Sequence, residues 1–86
     1  MERFQSLEQS RHVMDRVQQL GNFGVEAASA RNWEPAIADL KEALQTCGRC
    51  SENTALHRDL GLIYCRKGGI EEGRRELKAA FEAGRC

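Results

Sequence analysis

Proline occurs once in this 86-residue chain, and tryptophan and tyrosine occur once each. Ala, Leu, Glu, Arg and Gln, the good helix formers, dominate, so all-β, collagen-like and disordered classes are not expected. Charge of one sign is also missing. Thirteen basic residues balance thirteen acidic ones, which leaves no whole-molecule field to draw the chain to nucleic acid or to an anionic membrane. Neither partner is expected. No apolar run approaches the roughly 18 residues that a membrane span needs, and Met1-Glu2-Arg3-Phe4-Gln5 lacks the basic-then-apolar pattern of a secretion signal. The expected setting is the cytoplasm.

Catalytic ingredients are equally scarce. His12 and His57 are the only histidines, no Gly-rich phosphate loop follows a strand, and the carboxylates lie among basic neighbours. Glu71, Glu72 and Glu76 beside Arg74, Arg75 and Lys78 read as exposed i,i+4 pairs. No enzyme and no cofactor are expected.

What the chain does have is an internal repeat, the most decisive signal for architecture. A shift of 37 residues lays Leu20, Phe23, Gly24 and Ala27 on His57, Leu60, Gly61 and Tyr64, and Ala36, Leu40 and Ala43 on Gly73, Leu77 and Ala80. Each copy runs with i+3 and i+4 steps on either side of a turn, so each is a helical hairpin. Asn32 stands as an N-cap before Trp33-Glu34-Pro35, Gly68-Gly69 precedes the acidic start Ile70-Glu71-Glu72, and Gly48 closes the first copy. These signals predict helices at about 16–31, 34–46, 54–67 and 70–83. Residues 1–17, with Phe4, Leu7, Met14 and Val17 at helical steps, form a fifth helix or extend the first; the hairpins occupy 18–50 and 51–86.

The repeat resembles the tetratricopeptide family, whose helix pairs carry large-x2-Leu-Gly-x2-Tyr and then Ala-x3-Phe-x2-Ala. Here the second copy reads His57-x2-Leu60-Gly61-x2-Tyr64 and Gly73-x3-Leu77-x2-Ala80. Small residues at Gly24, Ala36, Gly61 and Gly73 let paired helices approach closely. The resemblance covers residues 18–86 and departs in two respects. The family's closing proline is absent, and the repeat is longer than the family's roughly 34 residues, the excess lying between Cys47 and Thr54.

An all-α superhelix of such hairpins implies binding of a partner protein, as a peptide or a helix, in the concave groove lined by the first helix of each hairpin. In this chain that groove would present Val25 and Ala28 from the first hairpin and Arg58, Leu62, Cys65 and Arg66 from the second. The Lys/Asn clamp of the family's chaperone-tail binders is missing, Gly21 and Val25 standing there instead. A second expectation is self-association through Ile70 and Phe81, on a final helix left without a capping helix, as a weak homodimer.

Four cysteines leave a third set of readings open. Cys47-x2-Cys50 has ligand or redox spacing, and Gly-Arg-Cys recurs at Gly84-Arg85-Cys86. Stacked hairpins would bring Cys47, Cys50, His57 and Cys86 to one edge as a Cys3His zinc set, against the alternatives of disulfides or free thiols. Cys65, beside Tyr64 in mid-helix, reads as a small apolar residue.

Overall fold

A computed structural model describes the backbone from Glu2 to Cys86 and the side chains from Arg11 onward. Phe4 and Leu7 therefore lie outside the described side chains. Four helices follow one another: α1 (Glu2–Ser29), α2 (Trp33–Cys47), α3 (Asn53–Lys67) and α4 (Ile70–Ala79). The expected fifth helix is the first half of α1, since no residue between Glu2 and Ser29 interrupts the hydrogen-bonded ladder.

Both hairpin turns are built the same way. Arg31 N–H bonds the Ala28 carbonyl at 2.9 Å and Asn32 N–H the Ala27 carbonyl at 2.8 Å; one repeat later, Gly68 bonds Cys65 at 3.1 Å and Gly69 bonds Tyr64 at 2.8 Å. This is the paired bonding of a helix end closed by a left-handed residue, and the two left-handed residues are Arg31 (φ 62°) and Gly68 (φ 100°). Asn32 and Gly69 then precede α2 and α4, although Asn32 makes no side-chain capping bond.

The helices pack mainly on their chain neighbours, α1 on α2, α2 on α3 and α3 on α4, with slight contact between α1 and α3. Val17, Leu20, Ala36, Leu40, Ala43, Leu56, Leu60 and Ile63 form the core. Within each hairpin the crossing point is a glycine. A Cβ on Gly24 would lie 2.8 Å from Leu40 Cγ and 3.2 Å from the Ala36 carbonyl; on Gly61 it would lie 2.8 Å from Leu77 Cγ and 3.0 Å from the Gly73 carbonyl. The same kind of contact thus recurs 37 residues apart. Phe23 departs from the pattern. It is 49% exposed although its counterpart Leu60 is buried; the helix that carries Leu60, α3, packs on both α2 and α4, whereas α1 packs mainly on α2.

The C-terminus departs more. Expected to run to residue 83, α4 ends at Ala79 because Phe81 adopts a left-handed conformation (φ 60°), and Phe81 and Glu82 N–H close the helix on Lys78 and Leu77. The chain then reverses. Arg74 Nε donates to the Gly84 carbonyl at 3.2 Å, and Cys86 is joined to Cys65 by a disulfide. Cys65 stands 37 residues after Ala28, which in the first hairpin lines a cleft together with α3 residues. The tail is thus tied to α3 and α4, and the flank expected to be open is partly covered there.

Candidate functional site

Between α1 and α3 the helices diverge enough to leave an open cleft lined by Val25, Ala28, Ser29, Asp59, Leu62, Ile63 and Arg66. Helical spacing explains the lining. Val25, Ala28 and Ser29 lie on one face of α1, and Asp59, Leu62, Ile63 and Arg66 on one face of α3, at i+3 and i+4 steps. Ala28 and Ile63 form the buried floor, while Val25 and Leu62 remain 45% and 42% exposed on the walls. Aliphatic side chains half open to water are the usable part of such a cleft, because a ligand that covers them removes apolar area from solvent.

Four of the six residues predicted for the groove meet here: Val25, Ala28, Leu62 and Arg66. The other two do not. Arg58 stands with Leu62 and Leu77 beside the tail residues Glu82 to Arg85, and its guanidinium lies 3.7 Å from Asp59. Cys65 is not a free apolar surface but half of the bond that ties down the tail. Asp59 enters the cleft unforeseen; its place three residues before Leu62 was the available signal.

The zinc set is not assembled. Cys47 and Cys50 are bonded to each other, and Cys86 has travelled back along α4 to Cys65, where its sulfur lies 3.9 Å from the Ile70 carbonyl. His57, near the start of α3, instead meets Glu76 at 2.6 Å and links α3 to α4. No group of three or more His, Cys, Asp or Glu converges among the described residues, and none of the cysteines is a free thiol. Glu76, expected among the exposed surface acids, is instead half-buried where it meets His57 between α3 and α4.

At the cleft's other end, Ala28, Ser29, Arg31, Trp33 and Arg66 enclose a second, more polar hollow. On the opposite side of the hairpins Lys41 lies 5.9 Å from the Tyr64 ring centroid, and its interaction with Tyr64 raises its pKa above the ordinary lysine value. Ile70 and Phe81, the expected self-association residues, are both exposed, Phe81 at 90%. No described helix is long and apolar enough to cross a membrane. No protein-family model, curated protein or solved structure matches this chain.

Proposed function

We propose that this chain is a tetratricopeptide-like binding module of two hairpins that holds a peptide or helix of another protein in the α1–α3 cleft, without catalysis and without a cofactor. The 37-residue sequence repeat and the recurrence of the Gly24–Leu40 approach as Gly61–Leu77 support the repeat architecture. Packing mainly between chain neighbours, with slight contact between α1 and α3, fits it as well, since solenoid repeats contact only the next in line. The observation that carries the function is the open cleft with Val25 and Leu62 exposed on facing walls.

A fluorescein-labelled amphipathic peptide with leucines at helical spacing tests it by anisotropy. Val25→Lys with Leu62→Lys should weaken binding at least tenfold while the far-UV circular dichroism is unchanged, since charged side chains then oppose apolar burial. Equal binding by the double variant would sink the proposal.

A second reading, weak homodimerisation, is favoured by the 90% exposure of Phe81. With the tail over part of the flank, its contact area is confined to Phe81 and Ile70, which fits a weak association. In the cytoplasmic setting that the sequence suggests, both disulfides stand as redox-responsive bonds, because reducing compartments keep such pairs transient.

A further inference from the structure

The hollow at the end of the cleft has a lopsided composition. Arg31 and Arg66 line it with Ala28, Ser29 and Trp33, and no carboxylate is among the lining residues. Among the described residues neither arginine takes part in an ion pair, and Asp59, the one acid in the adjoining cleft, lies beside Arg58 instead. Two arginines lining one hollow, neither in an ion pair among the described residues, form a local positive site on a chain whose net charge is zero.

Arg31 adds an independent observation. It occupies the left-handed turn position that its counterpart Gly68 fills in the second hairpin. Glycine adopts that conformation without steric penalty, whereas a side chain with a Cβ is strained there. Retaining a long cationic side chain at this turn works against folding, and such local conflict points to a role outside folding. Arg66 has a folding role open to it, since a basic residue in the last turn of α3 favours the helix dipole, but Lys67 in the same turn serves that end too.

From these we infer that the mouth formed by Arg31, Arg66 and Trp33 is a carboxylate site, and that the module's partner is a peptide whose apolar residues lie along Val25 and Leu62 and are followed by acidic residues. This rests on the binding function proposed for the cleft and names the chemistry of what enters it. Guanidinium forks pair with carboxylates through parallel hydrogen bonds, and an indole beside them shields those bonds from water. Direction follows as well: the acidic end lies toward the α1–α2 turn.

Trp33, the single tryptophan of the chain, reports on the site directly. Two synthetic peptides suffice, each with leucines at helical spacing and ending in either two glutamates or two glutamines. The wild type should bind the glutamate peptide about tenfold more tightly at low salt, with a shift in Trp33 emission, and high salt should erase the difference. Arg31→Gly is the decisive variant, because it removes the charge while relieving the turn. It should melt no lower than wild type yet lose the preference for glutamate, and Arg66→Gln should lose it too. Equal affinity for the two peptides, or an Arg31→Gly protein that keeps the preference, overturns the inference. If both peptides bind equally and Leu62→Lys weakens both, only the carboxylate site fails. A glutamate preference that depends on Arg31 but is indifferent to Leu62→Lys would instead leave the site and discard the apolar cleft. Failure of both peptides to bind refutes both, and a single-stranded oligonucleotide that outcompetes the glutamate peptide reassigns the site away from peptides.

Discussion

Alanine at Gly61 and alanine at Gly21 should shift stability in opposite directions. Both glycines lie inside helices, where replacement by alanine ordinarily gains about 1 kcal/mol. A Cβ at Gly21 meets only Leu56 Cδ2 at 3.6 Å, an ordinary contact, so the gain survives. At Gly61 the new atom would sit 2.8 Å from Leu77 Cγ, 3.0 Å from Leu77 Cδ2 and 3.0 Å from the Gly73 carbonyl oxygen. Leu77 is buried and the carbonyl belongs to the backbone of α4, so neither can move without shifting the helix pair. Overpacking of this kind costs about 1–3 kcal/mol, which offsets the propensity gain and leaves Gly61→Ala about 1 kcal/mol less stable than wild type. The two variants should then differ by about 2 kcal/mol, or roughly 8–16 °C in melting temperature for a domain of this size. Gly61→Leu adds three further carbons and should remove about 3 kcal/mol or more, a large part of the roughly 4–13 kcal/mol available to such a domain. Urea denaturation followed by far-UV circular dichroism measures all three. A Gly61→Ala protein as stable as Gly21→Ala would refute the close approach of α3 and α4.

The other expectations concern charge, cross-links and the exposed end. Arg66→Glu should weaken capture of the glutamate peptide severalfold while Arg58→Glu leaves it nearly unchanged, since only Arg66 lines the cleft; comparable losses from both would restore Arg58 to the site. Cys86→Ser should lower stability by about 3 kcal/mol and Cys47→Ser by about 2 kcal/mol, because the cross-links close loops of 21 and 3 residues' separation and the effect grows with loop length; chemical denaturation of each variant checks the order. Loss of the half-buried His57–Glu76 bond in His57→Ala should cost about 1 kcal/mol, with the deficit seen in the same titration. Phe81→Glu should abolish concentration-dependent association in light scattering, and a wild type that stays monomeric on concentration removes that reading.

Helix identity, hairpin turns and the glycine crossings are legible in the amino-acid order because they depend on neighbours three or four residues away. The spacing of Leu20, Gly24, Ala36 and Leu40 carries the pairing of α1 with α2, and its echo at Gly61, Gly73 and Leu77 carries that of α3 with α4. Val25 and Leu62 on the cleft walls follow from the same spacing once the first helices stand side by side. What the order left open are matters settled by distant parts of the chain. Phe23 has the pattern of a core residue, yet whether it is covered depends on how many helices pack around α1, which its own neighbours in sequence cannot reveal. Cysteine spacing allowed several pairings, and the choice of Cys65 for Cys86 turned on a chain reversal at Phe81, a residue with no intrinsic preference for the left-handed conformation. With Cys86 bonded to Cys65 and Cys47 to Cys50, the zinc set is not assembled. The reversal also placed the tail beside Arg58, whereas Arg66 and Arg31 share one hollow through the packing of α1, α2 and α3. Local periodicity sets which face of a helix is apolar; only the assembled helices decide which part of that face remains open to water.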